Sequence, residues 1–422
     1  MATGLFSPVS MSTGSVTAAN GSHPGILAGM RVVEMSAFVA VPLAGATLAS
    51  LGADVIRIDP VGGGVDSGRW PLWRGKSLYW AGLNQGKRSV TLDLRDARGQ
   101  EIVRQLVASG GRDGGLVLTN LDAQGGLSFQ RLRESRPDVI MVRLTGNRDG
   151  IPAVDYTINA RVGFPMVTGS DPDGPPVNHV MPAWDGMAGH VLTSGLLAAE
   201  RHRSRTGKGQ FVSVSLADIA LAYASRLGII AEAVLDPEPR RRDGNYIYGT
   251  FGKDFQTRDG RYVMVVALTP GQWHRLKRAT SLEDEFDALG VKLEADLDDE
   301  GERWNARYAI AALIGEWTSA HDLTNIRERF DAHGVLWSAY QTFTDLARDP
   351  EASPANPMFS MVSQPGAGEY PAASTPFDFS DFGRVPASTP PLLGEHTEAV
   401  LSEVLGMSKD AIEQLRTQGI AG

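Results

Sequence analysis

Asp185 lies in Met181-Pro-Ala-Trp-Asp-Gly-Met-Ala-Gly-His190, where a Pro- and Gly-rich loop (170–183) gives way to the apolar helical pattern of 191–200. Free N–H groups and the helix dipole at such a junction favour an anion. Two chemistries fit a carboxylate there. It can cap the helix, which is the commoner use of the position. It can also act as a nucleophile that takes up an acyl group and hands it on.

Other reactive groups are scarce. Cysteine is absent, which removes disulfides, thiolate nucleophiles and Cys-ligated zinc, and which fits a reducing cytoplasm. The eight histidines form no His-Glu-x-x-His and no paired ligand spacing, so no catalytic metal is expected. Gly62-Gly-Gly64 follows a strand pattern, but Asp66-Ser-Gly-Arg-Trp70 continues as loop. A phosphate cradle needs strand, glycines and helix in that order, so this reads as a flexible substrate loop. Gly207-Lys-Gly209 lacks Walker spacing and reads as a hairpin turn, and Arg201-His-Arg-Ser-Arg205 as a solvated helix C-terminus. Trp70, Trp73, Tyr79 and Trp80 crowd one polar loop, either as core or as a wall facing substrate.

The elements that must position these groups alternate. Arg31–Met35 and Ala53–Asp59 read as buried strands around a helix over 43–51, a βαβ unit with a right-handed crossover. Strands at 88–93, 115–119 and 139–143 alternate with helices at 99–109 and 127–135. This pattern predicts an α/β fold with a doubly wound parallel sheet. Beyond the Asp185 helix come an alternating strand at 211–215 and a helix over 216–235. Pro237–Asp243 reads as a linker to a smaller α+β module whose clearest strand is Tyr262–Val266, and the chain ends in helices at 398–405 and 409–416.

At 422 residues and 42% hydrophobic, the chain can bury a large core and form two domains. The net charge of −9 argues against nucleic-acid and anionic-membrane partners. No apolar run is long enough to span a bilayer. Residues 1–24 are rich in Ser, Thr, Gly and Ala, lack the basic start of a secretory signal, and read as a disordered extension.

Five motifs occur in order from about residue 25 onward: Gly25–Glu34, Leu51–Asp59, Asn84–Asp93, Thr206-Gly-Lys-Gly-Gln210 and Leu393-Gly-Glu-His-Thr397. In them the chain resembles the class III CoA-transferase family. The resemblance implies a Rossmann-like large domain (25–236 with 340–422), a small α+β domain (245–335), and linkers at 237–244 and 336–345. It also implies an interlocked homodimer, an acyl-CoA substrate with coenzyme A as part of it, and no prosthetic group. The family's nucleophile falls on Asp185. Its adenine pocket falls on Val39 and Ala40, with Leu92, Asn120 and Leu121 around the nucleotide, an acidic neighbour on Asp155, and lining aromatics on Trp70 and Tyr79. The departures are specific. Pro60 and Ser128 stand where the family has phosphate-binding basic residues, no run of four glycines occurs around Gly244, and Val154 replaces the histidine of the racemase pair.

The variable segments narrow this further. Gly62–Gly64 with Arg69-Trp-Pro71, Val154–Thr157, Val177–Val180, Pro182–Asp185 and Gly244–Phe255 resemble the branch that moves CoA between the two carboxyls of one mesaconyl (2-methylfumaryl) group. Intramolecular CoA transfer is therefore the expected activity. The alternatives are intermolecular CoA transfer to a free acid, racemisation, and non-catalytic acyl-CoA binding. A diacid needs clamps: Arg69 and Arg148 are candidates by their planar fork, with Asn178 and His179 as neutral hydrogen-bonders.

Overall fold

The computed structural model describes residues 25–122, 125–236, 238 and 240–422. The expected extension over 1–24 and part of the 237–244 linker lie outside the described residues. Among the described residues, no helix is long and apolar enough to cross a membrane.

The chain forms two compact units. The first holds residues up to Leu144, Ala188–Ser213 and Pro354–Gly422; the second holds Thr145–Met187 and Val214–Ser353. Residues 145–187, 214–236 and 340–353, grouped with the large domain on sequence, thus pack with the smaller one.

The first unit is built on a six-stranded sheet. Its strands are β1 (Arg31–Met35), β2 (Asp54–Asp59), β3 (Arg88–Thr91), β4 (Leu116–Thr119), β5 (Ile140–Thr145) and β6 (Phe211–Ser215), in the order β3-β2-β1-β4-β5-β6. The pairs β1–β2, β2–β3, β1–β4 and β4–β5 are parallel. Near-continuous apolar runs such as Leu116-Val-Leu follow from burial on both faces. Helix α1 (Ala40–Ser50) connects β1 to β2. Helix α3 (Ala97–Ala108), after α2 (Leu78–Asn84), is capped by Asp96 and buries Ile102, Val103, Leu106 and Val107. Each of those side chains contributes roughly 1.5–3 kcal/mol of burial. They share a core with Val33, Ile56, Val117 and, from the C-terminal helices, Val400, Leu401 and Ile412. Ser128 caps α4 (Phe129–Ser135) by accepting the Arg131 N–H at 3.4 Å.

The second unit has a three-stranded antiparallel sheet of β7 (Phe251–Gln256), β8 (Tyr262–Ala267) and β9 (Leu336–Ala339), with β8 central. Alternation along β8 points Val263, Val265 and Ala267 into a core with Phe251, Trp273, Phe286 and Phe330. Its other helices include α5 (Asp155–Arg161). Helix α6 (Ala183–Thr206) starts in this unit and continues in the first.

Three sequence expectations change. The helix over 216–235 is two helices, Leu216–Arg226 and Ile229–Leu235, because Gly228 takes a left-handed φ of 77° between them. The Thr206–Gln210 turn joins a helix to a strand rather than two strands. Gly207 (φ 71°) ends α6, and a Cβ on Gly209 would collide with the carbonyls of Asp138 and Val139. Arg203 is not solvated: it is buried and donates to the Gly114 carbonyl at 2.7 Å.

Candidate active site

Helix α6 begins at Ala183, which makes Asp185 its third residue, inside the first turn and past the cap. The capping bond comes from elsewhere. Asp155 Oδ2 accepts the Asp185 N–H at 3.0 Å. Asp155 is itself the first residue of α5 and is 1% exposed, whereas Asp185 is half-buried. One carboxylate is therefore spent on the backbone, and the other stands at a positive helix end where an anion is stabilised. The acidic neighbour expected at Asp155 is present, and its contact is to the main chain of Asp185.

Trp184, also buried, packs its ring 5.6 Å from Phe164 and 6.4 Å from both Tyr223 and His179. Its indole N–H donates to Asn159 Oδ1 at 3.1 Å, and Asn159 Nδ2 donates to Asn178 Oδ1 at 3.0 Å. The relay ties the 177–181 loop to α5 and to the start of α6. His179 Nδ1 is held against the Met181 carbonyl. Of the proposed clamps in this unit, Asn178 and His179 fall beside Trp184. Arg148 does not join them: it is exposed, and its fork is filled by Asp218, with both bonds at 3.0 Å. Asn159 and Trp184 were not singled out in the sequence; the i, i+4 spacing of Asp155 and Asn159 on one helix was the available signal.

In the first unit, the strand order reverses between β1 and β4, the topological switch point at which open α/β sheets bind ligands. Val39, Ala40, Asn120 and Leu121 all follow the carboxyl ends of these two strands. Asn120 clamps the opposite turn, its Oδ1 accepting from the Ala37 N–H at 2.9 Å and its Nδ2 donating to the Ala37 carbonyl at 2.8 Å. Val39 precedes α1 with no side-chain cap, so the first N–H groups of that helix receive no acceptor from the cap residue. Leu121 is exposed there. Leu92 is placed differently: its side chain is wholly buried in the core beside Val90 and Ala421, a packing position.

The aromatic quartet divides. Trp80 is core, Tyr79 half-buried, and Trp70 (76%) and Trp73 (53%) are exposed. Arg69 lies with its guanidinium 5.3 Å from the Phe38 ring centre and 5.6 Å from that of Tyr79.

Beneath this surface lies a buried charge cluster. Arg57 reaches Asp59 at 2.8 Å, Asp66 at 3.1 Å and Glu34 at 3.3 Å, and Lys87 reaches Glu34 at 2.9 Å. Burial works against the Arg57 charge, yet Glu34 and Asp59 hold it protonated above the ordinary guanidinium value. Burial pushes the Asp59 carboxyl up and pulls the Lys87 ammonium down to about 8. Helix α1 can pass over the cluster only because residue 45 is glycine: a Cβ there would overlap the Glu34 carboxylate.

Among the described residues, no three His, Asp or Glu side chains gather as metal ligands would.

Residues 27–397 match the model of CoA-transferase family III. The chain is 51% identical to 2-methylfumaryl-CoA isomerase of Chloroflexus aurantiacus, over 94% of this chain and 98% of that protein. It is 30% identical to succinyl-CoA:mesaconate CoA-transferase of Haloarcula marismortui, over 90% and 96% respectively. The crystal structure of a CAIB/BAIF family protein from Brucella suis superposes with a TM-score of 0.73 at 26% identity, covering 90% of this chain and 99% of that one.

Proposed function

The chain belongs to CoA-transferase family III, and from that premise we propose that it moves coenzyme A between the C1 and C4 carboxyls of one mesaconyl (2-methylfumaryl) group. The observation that carries the proposal is Asp185 in the first turn of α6, its backbone held by buried Asp155, in a chain half identical to a 2-methylfumaryl-CoA isomerase.

The Asp185 carboxylate attacks the thioester carbonyl, and CoA thiolate leaves as an acyl–aspartyl anhydride forms. The thiolate then attacks the aspartyl carbonyl, giving an aspartyl–CoA thioester and free mesaconate. The other carboxylate of the same diacid attacks this thioester, regenerating an anhydride and thiolate. Attack of thiolate on the new acyl carbonyl releases the C4 isomer and restores Asp185. Every step exchanges one acyl partner for another, so no oxidant and no net proton is consumed. A covalent relay divides one difficult transfer into easier ones. It is also geometrically necessary, because the trans carboxyls of mesaconate cannot close on each other.

Coenzyme A enters as part of the substrate. Its nucleotide is assigned to the switch-point turns at Val39, Ala40, Asn120 and Leu121. In the first unit the exposed Arg69 and Trp70 with half-buried Tyr79, and in the second Asn178 and His179, are each candidates for holding the acyl end. The freed acid must turn without escaping, which calls for exclusion of water and of competing acids. A homodimer in the cytoplasm completes the reading, on the family resemblance and the lack of cysteine.

Incubation of the purified protein with mesaconyl-C1-CoA, followed by chromatography for the C4 isomer, tests the proposal. Labelled free mesaconate separates it from intermolecular transfer. Label entering the CoA ester at the rate of isomerisation would transfer the assignment to an intermolecular enzyme.

A further inference from the structure

The buried charge cluster reaches the switch-point turn through Ser36, whose hydroxyl donates to Glu34 and accepts from Arg57, and through Asp66, which accepts the Phe38 N–H, and we infer from this that Asp66 is a positioning residue for the CoA nucleotide. It acts through the backbone of Phe38 and takes no part in acyl transfer. The inference rests on the reading of the first unit as the nucleotide-binding one.

Phe38 has a φ of 66°, a left-handed conformation that a side chain other than glycine adopts only when its surroundings over-determine it. Three bonds do so. Asn120 holds both the N–H and the carbonyl of Ala37, and Asp66 Oδ2 accepts the Phe38 N–H at 3.1 Å. Asp66 is 1% exposed and cannot drift, because Arg57 Nη2 donates to its two oxygens at 3.1 and 3.4 Å. Arg57 is fixed in turn by Asp59 and Glu34, and Glu34 by Lys87.

The result is a turn anchored to the core rather than to solvent, at the switch point and directly before the start of α1. The left-handed Phe38 turns its ring outward, half-exposed under Arg69, and sets the point from which α1 begins. Asp66 also roots the loop that follows Gly62–Gly64. What reads in sequence as a flexible glycine segment therefore has one end fastened to the charge cluster. Asp66 is assigned no part in the attack on the thioester or in the departure of the thiolate, so displacing it should weaken CoA binding and spare turnover.

Two substitutions separate the effects. Asp66→Asn keeps an acceptor for the Phe38 N–H and drops the charge, and Asp66→Ala drops both. With Asp66→Ala, KM for mesaconyl-CoA and the calorimetric Kd for free CoA should rise about tenfold, the worth of one hydrogen bond to a charged group. The kcat should stay within about twofold, since uniform binding rather than transition-state binding is lost. Asp66→Asn should recover most of the affinity while melting lower. An unchanged KM in Asp66→Ala, or a fall in kcat with KM intact, would overturn the inference. If Asp66→Ala does not fold, Asp66→Glu serves instead: it keeps the charge but displaces the acceptor, so a normal KM there would refute positioning. Failure of the wild-type protein to bind CoA would instead overturn the nucleotide assignment itself.

Discussion

The Asp185 N–H donates to Asp155 Oδ2 at 3.0 Å, so a wholly buried carboxylate holds the backbone of the residue whose own carboxylate is proposed to attack. The two carboxylates thus have separate tasks, one holding the backbone and one proposed to attack. Asp155→Ala leaves the third N–H of α6 without its acceptor, and loss of a cap typically lowers stability by about 0.5–2 kcal/mol. Misplacement of the nucleophile should also lower kcat by about 100-fold. Asp155→Asn retains an acceptor and should recover most of both. Equal kcat in Asp155→Ala and wild type would show that the bond is not needed for positioning.

Asp185→Ala and Asp185→Asn should abolish isomerisation, by about 1,000-fold or more, since removing a covalent nucleophile removes the intermediate itself. Both variants should fold, because the residue is half-buried and the cap bond uses its backbone, which either substitution leaves in place. Circular dichroism checks the fold, and borohydride or hydroxylamine treatment during turnover checks the site. Covalent trapping at a residue other than 185 would remove it from the mechanism.

Much of this was legible in the sequence because its signals are local. β1 and β6 fall where the apolar and alternating patterns end, at Arg31–Met35 and Phe211–Ser215. The anion-favouring junction at Asp185 depends only on neighbours in the chain. What escaped was set by contacts distant in sequence. No pattern near Asp185 says that its amide will be taken by Asp155, and none near Arg148 says that Asp218 will fill its fork. Leu92 was placed around the nucleotide by the family resemblance alone, and its side chain packs into the core. The left-handed Phe38 was invisible for a different reason: its conformation is imposed by Asp66 and Asn120 against its own preference.

Gly45 is the position where a single methyl should do most harm to the first unit. A Cβ there overlaps the Glu34 carboxylate and comes within 3.1 Å of Lys87 Nζ, and neither group can yield without breaking the ion pair that keeps it buried. Helix propensity favours alanine over glycine by about 1 kcal/mol, so an ordinary helical glycine would be improved by the change. Here overpacking against buried charge outweighs that gain, and Gly45→Ala should be destabilised by about 1–3 kcal/mol or more. Urea unfolding measures it; an increase in the midpoint would mean that α1 shifts at little cost.

Lys87 should give the fold a pH dependence opposite to that of an exposed lysine pair. Burial pulls its ammonium down to about 8 from an ordinary 10.5, with Glu34 opposing the shift. Between those values the unfolded chain binds more protons than the folded one, so stability rises with pH through this group. Its contribution is complete above about 10.5 and is lost as pH falls through about 8, where the charge must stay buried. Lys87→Met removes the titration. The difference in unfolding free energy between wild type and Lys87→Met should therefore shift in favour of wild type as pH is raised from 8 towards 10.5. A difference that is flat across this range, or that moves the other way, would mean that the Glu34 pair keeps Lys87 charged in the fold as firmly as water does in the unfolded chain.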